Sequence, residues 1–341
     1  MDVKITKKRL LNLISYDWIK IAAFSLAFIF LWVLLFTTCA TRATVGEQFY
    51  FVIYDDITAT DKDYDMLSDM KSDGTLSYDV LTSTVSHITK AGNYSAAYML
   101  SLRASTNEGD VMLAYAGKEN KLLEYKSNNS DGEDSTTASG EKAEKSSDIY
   151  NLLYGNGYFI DMERFLSNAK NYLSKFVDDP DGENPTINAA KIESYFRNVR
   201  IRSARNYKKT YNTEAKIAEG VKDEIKRIET LATAYKRVTS AIAKAQSEGN
   251  DFYRYYMKPT REEGVYEKKA YGIDLYALNR NATEDKQKVS DRWTYVDEND
   301  QVTSEGITLL VFDFGSKQED LQYESLCFID YIIRNFSNYA D

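Results

Sequence analysis

The sequence predicts an α/β protein in which one transmembrane helix precedes a two-lobed outer domain. Strand-like and helix-like stretches alternate at both ends of that domain, which is the pattern of α/β folds. A long block with helical spacing separates the two ends, and we interpret it as a helical insertion or second lobe. An uncharged apolar run near the N-terminus predicts the membrane helix.

The composition of the 341 residues excludes several classes of function. With 43 Lys and Arg against 52 Asp and Glu, the formal net charge is -9, which argues against a nucleic-acid partner. Two cysteines cannot build a disulfide framework, and the single histidine, His87, leaves few zinc or Ser-His catalytic sites open. We interpret His87 as a structural or surface residue and predict neither a metal nor another cofactor. The nucleophile-elbow, zinc-protease and phosphate-loop motifs do not occur, so we predict a protein that is not an enzyme.

The N-terminal membrane segment is the clearest signal in the sequence. Residues 21–41 carry no charge and would form a helix of about 31 Å, which matches the hydrocarbon thickness of a bilayer. The cations before this segment are Lys4, Lys7, Lys8, Arg9 and Lys20. Only Arg42 follows it in the stretch up to Ile53. This asymmetry predicts a single-pass cell-membrane protein with residues 1–20 in the cytoplasm and the C-terminal domain outside.

Two alternatives to a retained anchor stay open at this point. A cleaved signal peptide has an apolar core of about 7–15 residues, which is shorter than the run seen here. A lipid anchor on Cys39 would need a small residue directly before the cysteine, whereas Thr37 and Thr38 precede it. We therefore favour an uncleaved anchor that contacts the lipid bilayer through residues 21–41.

Residues 43–187 form the first α/β part of the predicted outer domain. The predicted elements are strands at 49–54, 76–88 and 111–115 and a helix at 94–104. The order of helix, tight turn and strand is one half of an α/β unit. Residues 126–147 contain no large apolar side chain, so they predict a mobile loop.

Residues 188–260 form the predicted helical part. Apolar residues recur there at helical spacing, as at Ile217, Val221, Ile225 and Ile228, and predict two or three long helices. A basic run at 197–209 is interpreted as a solvated helix face, with a patch for anionic lipid or a partner as the alternative.

Residues 261–341 return to α/β character. A strand is predicted at 271–276, and the apolar run 307–314 is the strongest strand signal in the chain. An amphipathic helix is predicted at 319–336.

Several segments resemble the type II extracytoplasmic solute-binding proteins of ABC transporters. They are YMLSLRASTNEGDVMLAY at 98–115, YNLLYGNGYFIDMERFL at 150–166, and the closing strand and helix at 307–314 and 319–336. The N-terminal SYDWIK at 15–20 and ATR at 40–42 are similar to uncharacterised membrane-anchored proteins of clostridia-type Gram-positive bacteria. Two features depart from the solute-binding pattern: a transmembrane helix replaces the lipidated cysteine, and no glycine-rich ligand loop follows the first strand.

This resemblance implies a solute-binding-like outer domain that captures a small polar ligand, a sugar or a peptide, and serves an ABC transporter permease. The alternative is an accessory or scaffold subunit, which uses the same fold to contact membrane proteins and has no small ligand. An aromatic-lined cleft would favour ligand capture. A filled cleft and an exposed apolar or basic helix face would favour the scaffold.

The candidate ligand contacts are Tyr158, Asp161 and Trp293. Tyr158 and Asp161 flank the start of a helix after a glycine-rich turn, where backbone donors and a carboxylate can bind a polar ligand. Trp293 lies in a polar loop, from which its ring could stack on a sugar or peptide. The alternatives are that Asp161 only caps the helix and that Trp293 is buried under the neighbouring strand.

Overall fold

The computed structural model describes most of the chain in two units. The described residues are 7–39, 43, 45–54, 57–58, 60–88, 96–118, 123–124, 157–182, 185–203, 205–259, 266–297, 299–313 and 324–340. The compact units are residues 1–42 and residues 43–341. The predicted mobile loop at 126–147 lies outside the described residues.

The described part of the first unit is one apolar helix, α1, which runs from Lys7 to Cys39. Within it, the window Trp18–Leu35 has a mean hydropathy of 2.2, and its described side chains are exposed. This window is long and apolar enough to cross a membrane, and it overlaps the predicted segment 21–41.

The second unit is built on a mixed β-sheet. Its strands are β1 (Gln48–Tyr54), β2 (Thr82–Ile88), β3 (Val111–Tyr115), β4 (Leu123–Glu124), β5 (Val177–Asp178), β6 (Thr186–Ile187), β7 (Tyr253–Pro259), β8 (Tyr266–Asp274), β9 (Tyr295–Val296), β10 (Val302–Thr303) and β11 (Ile307–Val311). Among the described residues, seven strands form one sheet in the order β2-β1-β3-β11-β8-β7-β4. β1 is parallel to β2 and β3, whereas β11 is antiparallel to β3 and β8.

Two neighbouring central strands, β3 and β11, are almost wholly apolar because both of their faces are buried. Successive residues of a strand point to opposite faces of a sheet. Phe51 of β1 accordingly belongs to the main core, and its neighbour Val52 belongs to a second core on the other face. In β11 every residue from Ile307 to Val311 is buried, which explains why all of them except Thr308 are apolar.

Helices lie between the strands and after the last one. They are α2 (Asp61–Ser72), α3 (Ala96–Thr106), α4 (Met162–Leu173), α5 (Ala189–Tyr195), α6 (Ile201–Ser203), α7 (Arg205–Thr210), α8 (Glu214–Ser247), α9 (Leu275–Asn279) and α10 (Glu324–Phe336), with a π-helical turn at Phe196–Arg200 between α5 and α6. Strands and helices thus alternate around a mixed sheet, and the predicted α/β class is confirmed.

The helical part differs from the prediction of two or three long helices, because short helices precede a single long one. α8 continues through Gly220 without a break. A Cβ atom at Gly220 would lie 2.5 Å from the rings of both Phe196 and Tyr211, so the missing side chain lets those rings approach the helix. Gly220 marks a close packing contact rather than the end of a helix.

The strand predicted at 76–88 is shorter in the structure. β2 begins only at Thr82, and the residues before it form turns. The backbone of this segment bonds to another element, since Ser77 N donates to the Glu324 carboxylate of α10 over 3.0 Å. The alternation of apolar and polar residues at 76–81 favours a strand, but this contact with the distant Glu324 holds the segment in a different conformation.

One main core joins the three predicted parts of the outer domain. It contains Phe51 of β1, Leu231 of α8 and Phe328 of α10, among others. The second unit therefore has its sheet, its long helix and its C-terminal helix fixed to one another by apolar packing.

Candidate functional site

Trp293 is a core residue in this structure. Its side chain is 0% exposed and packs between Phe51 and Phe336, with ring centroids 6.2 and 5.3 Å away. Its Nε1–H donates to Oδ1 of Asp63 over 2.9 Å, so the buried donor is satisfied. Burial was the alternative interpretation of Trp293, and it leaves no ring face exposed on which a ligand could stack.

Asp161 is the N-cap of α4. Its Oδ1 accepts a hydrogen bond from Arg164 N over 2.8 Å, and the side chain is buried. This bond satisfies one of the backbone donors that the first turn of a helix leaves without a partner. The contacts of Asp161 therefore show the alternative interpretation, in which it caps the helix.

Tyr158 is half-buried and packs against the second core, on the face of the sheet to which Val52 belongs. Its backbone oxygen accepts from Asp313 N over 2.8 Å. Trp293, in contrast, belongs to the main core on the other face. The sheet therefore separates Tyr158 from Trp293, and the three predicted contacts do not form one site.

One cavity among the described residues is a groove along α8, which we call the α8 groove. Its volume is about 600 Å³. Its lining consists of Pro185, Ile187, Glu229, Ala232, Thr233, Lys236, Arg237, Ser240, Lys244, Tyr339 and Ala340. The members from α8 recur three or four residues apart, so they lie on one face of the helix. The opposite wall comes from the segment at β6 and from the C-terminal residues.

A second cavity, the Arg227 pocket, lies between the end of α2 and an earlier stretch of α8. Its volume is about 270 Å³. Its lining consists of Lys71, Ser72, Gly74, Leu76, Ser77, Tyr78, Asp223, Lys226, Arg227 and Thr230. Arg227 links this pocket to a group of buried charges beneath it.

We call this group of buried charged residues the charge cluster. Its members are Asp79, Arg200, Glu224, Arg227 and Glu324. Arg227 donates to both carboxylate oxygens of Glu224, from Nε over 3.1 Å and from Nη2 over 2.8 Å. Arg200 donates to Asp79, and its Nε lies 3.7 Å from Glu224 Oε2. The hydroxyl of Tyr78 also donates to Glu224 Oε2, over 2.9 Å. The cluster thus joins α8 to the segment before β2 and to the π turn.

The pKa values of the two glutamates of the charge cluster are shifted in opposite directions. Burial alone would raise the pKa of Glu224, but Arg227 and Arg200 outweigh it and lower that pKa to about 2. Burial raises the pKa of Glu324 to about 7, and the charge of Arg227 opposes this only in part. Glu224 is therefore ionised at every physiological pH, whereas Glu324 takes up or releases its proton near neutrality.

The basic run at 197–209 does not form one continuous solvated face. Arg200 is buried in the charge cluster, whereas Arg197 lies nearer the surface and donates to Glu193 and Glu214 over 2.9 Å each. The π turn that ends at Arg200 accommodates one extra residue, which changes the face on which the next side chain lies. Lys208 and Lys209 are exposed.

Sequence reasoning missed the buried arginines, although one of them left a signal. Arg227 lies three residues after Glu224 and four before Leu231, so it occupies a position of the apolar stripe of α8. A charged pair at such positions indicates a buried ion pair rather than a solvated one. Arg200 left no such signal, because its burial depends on the π turn.

The described residues contain no group of three or more His, Cys, Asp or Glu side chains that could hold a metal ion. His87 is exposed on β2, and Cys327 is buried in α10. Burial raises the pKa of the Cys327 thiol, and Glu324 and Asp330 raise it further, which disfavours the reactive thiolate.

The resemblance to solute-binding proteins rests on the quoted sequence segments and stays a prediction. Comparison of the chain with protein-family models, with curated proteins and with solved structures found no match.

Proposed function

We propose that this protein is a membrane-anchored, non-enzymatic binding protein. Helix α1 crosses the cell membrane with residues 1–20 in the cytoplasm, and the domain 43–341 captures a small polar ligand, a sugar or a peptide, outside the cell. The length and hydropathy of α1 support the anchor. The resemblance to solute-binding proteins suggests that an ABC transporter permease receives the ligand.

The α8 groove is the observation that carries ligand capture. Its volume of about 600 Å³ lies within the range of about 300–1,000 Å³ that is typical of small-molecule sites. Apolar atoms of Ile187, Ala232 and Tyr339 line it together with the hydroxyl-bearing Thr233 and Ser240. An apolar surface with a few polar groups is the usual composition of a site that fixes the orientation of a polar ligand.

The α8 groove is held rigid by ion pairs beneath its wall. Arg237 donates from Nη1 to both carboxylate oxygens of Asp330 in α10, over 2.9 and 2.7 Å. Arg334 Nε donates to the same carboxylate over 3.0 Å. Lys244 Nζ donates to the carbonyl of Asn338 over 3.2 Å and ties the C-terminal segment to α8. A wall fixed in this way lowers the entropy cost of binding.

One hydroxyl of the groove lining, that of Thr233, is engaged within its own helix. The hydroxyl of Thr233 donates to the backbone carbonyl of Glu229 over 2.8 Å. Its proton is therefore bound within the helix and is not directed at a base. A nucleophilic hydroxyl would instead need a general base within hydrogen-bond reach. In the proposed function the groove captures and releases the ligand and makes or breaks no bond.

A thermal-shift screen of the full chain in detergent tests ligand capture. Sugars, peptides and amino acids are the probes, and a true ligand raises the melting temperature because it binds only the folded form. Ser240→Tyr places a ring in the groove, and Ala243→Tyr places the same ring at an exposed position of α8 outside the groove lining. We expect the ligand's shift to vanish in Ser240→Tyr and to persist in Ala243→Tyr. An equal shift in both variants would contradict the groove as the site.

Two lobes that close on the ligand are a finer part of the same proposal, and this part rests on the sequence resemblance alone, because one main core joins the described parts of the domain. The strand order supports a ligand site at one edge of the sheet, because β2 and β3 lie on opposite sides of β1. Open α/β sheets bind ligands at the carboxyl ends of strands where the winding reverses in this way. Tyr54 and Tyr115 end β1 and β3 at that edge. A ligand that still stabilises Ser240→Tyr would point to this edge instead of the α8 groove.

The accessory or scaffold subunit is the second candidate function, and helix α3 favours it. Tyr98, Met99 and Leu102 are 56%, 38% and 48% exposed and lie within about one turn of α3. Exposed apolar side chains that cluster on one helix face are typical of contact surfaces for other proteins. Co-purification of a membrane partner that Leu102→Asp abolishes, together with a screen that yields no ligand, would establish this candidate.

Protease treatment of intact protoplasts tests the proposed topology. We expect an externally added protease to degrade the domain 43–341 and to leave a membrane-embedded fragment that contains residues 1–20. Lysed protoplasts are the control, because the protease then reaches both sides of the membrane. Complete protection of the domain in intact protoplasts would refute the assigned orientation.

A further inference from the structure

We infer that the Arg227 pocket is a second binding site, which takes a phosphate group. The inference is independent of ligand capture by the α8 groove, because the lining residues of the two cavities differ throughout.

Most of the charged residues that line the Arg227 pocket are cations. Lys71 near the end of α2 and Lys226 and Arg227 of α8 line it, and Asp223 is the one acidic residue of the lining. Glu224 beneath the pocket already compensates the charge of Arg227, so Lys71 and Lys226 against Asp223 leave an excess of one positive charge. Such an excess within so small a volume favours an anion. Lysine and arginine are also the side chains that proteins commonly use to bind phosphate.

The backbone turn after α2 brings the cations together. Gly74 has a φ of 78°, a conformation that favours glycine. A Cβ atom at this position would lie 3.3 Å from Lys226 Nζ, so the glycine lets this ammonium group approach the turn. Lys71 Nζ donates to the carbonyl of Leu81 over 2.7 Å, which restricts the position of the second ammonium group.

The charge cluster below the pocket keeps Arg227 in place. Both oxygens of Glu224 bind its guanidinium group, and the Tyr172 hydroxyl accepts from its Nη2. A positive charge fixed by buried partners cannot turn away to solvent, so it contributes to a preorganised site.

The size of the cavity selects a compact group. At about 270 Å³ the Arg227 pocket lies below the usual range for drug-sized ligands, but it can hold a phosphate group. Ser72 and Thr230 also line it, but their hydroxyls donate to the backbone carbonyls of Asp69 and Lys226, over 2.9 and 3.0 Å. The donors for the oxygen atoms of a phosphate are therefore the ammonium groups of Lys71 and Lys226.

Calorimetric titration of the full chain in a non-ionic detergent with inorganic phosphate tests this site. The binding variant is Lys71→Gln combined with Lys226→Gln, and the matched control is Lys222→Gln, an exposed lysine of α8 outside the pocket lining. We expect saturable binding to the wild type, about a hundredfold weaker binding to the double variant, and unchanged binding to the control. Ionic strength is held constant, because exposed charges are screened by salt.

Three results would overturn the proposal: no saturable heat with the wild type, equal affinity in the double variant, or an equal loss in the Lys222→Gln control. Dimethyl phosphate distinguishes the sources of the phosphate group, since it carries the diester of a lipid headgroup. Tighter binding of inorganic phosphate assigns the pocket to a free phosphorylated ligand, and tighter binding of the diester assigns it to a headgroup. Neither result depends on the α8 groove, so a thermal-shift screen without a groove ligand leaves the phosphate site standing.

Discussion

Replacing Glu224 by glutamine is expected to lower the free energy of unfolding by about 3–5 kcal/mol. Glu224 is 0% exposed and accepts hydrogen bonds from Arg227 and Tyr78. The pKa of about 2 shows how strongly the folded protein favours its charged form. Glutamine preserves the volume but removes the charge, and so two buried guanidinium groups lose a carboxylate that compensates them.

Denaturant unfolding of the full chain in detergent, followed by circular dichroism, measures this loss. Glu219→Gln is the matched control, because Glu219 is an exposed glutamate earlier on the same helix. We expect its effect to stay within about 0.5 kcal/mol. A Glu224→Gln variant as stable as the control variant would show that the remaining groups of the charge cluster neutralise the arginines on their own.

A loss of this size would show that the charge cluster holds α8 in its position within the domain. The long helix provides one wall of the α8 groove and one wall of the Arg227 pocket. Apolar packing against Phe328 and its neighbours holds α8 against the rest of the domain. The directed bonds from Arg200 and Arg227 to carboxylates fix the register of the helix as well.

Features set by neighbouring residues could be predicted from the sequence. The apolar run of α1, the continuous strand β11 and the alternation of elements follow from local hydrophobic patterns, and these patterns predicted the α/β class and the apolar N-terminal helix. Asp161 belongs to the same category. Its partner, Arg164 N, lies three residues away, and an N-cap was one of its two interpretations.

Features set by distant residues could not be predicted. The partner of the Trp293 indole is Asp63, which lies 230 positions away in the sequence. No local pattern around Trp293 contains this partner, and its polar neighbours suggested an exposed loop. Tyr158 and Trp293 lie on opposite faces of the sheet, a separation that only the assembled strand order determines. Arg200 is a third case, since an extra residue in a π turn decides on which side it lies.

The stability of the protein is expected to fall by about 3 kcal/mol as the pH rises from 5 to 8, through the ionisation of Glu324. Burial raises the pKa of this carboxyl from 4.5 to about 7 in the folded state. The folded protein therefore binds the proton more tightly than the unfolded chain does. The stabilising contribution of the protonated form is complete below pH 4.5 and is lost as the pH rises through 7. Glu224 contributes in the opposite sense, because its lowered pKa removes stability only as the pH falls below about 4.5 towards 2.

Glu324→Gln isolates this effect. Glutamine keeps an oxygen that can accept the hydrogen bond from Ser77 N, which Glu324 accepts over 3.0 Å, and it has no proton to lose. We expect the free energies of unfolding of wild type and variant to lie close together at pH 5 and to diverge up to pH 8, where the variant is the more stable protein. Other carboxyls with raised pKa values, such as Asp330, titrate alike in both proteins and cancel in the difference. Only a group whose protonation changes on unfolding makes stability depend on pH. If the free energies of unfolding of wild type and variant ran parallel from pH 5 to 8, the prediction would be wrong. Arg227 and Arg200 would then already hold Glu324 in its ionised form.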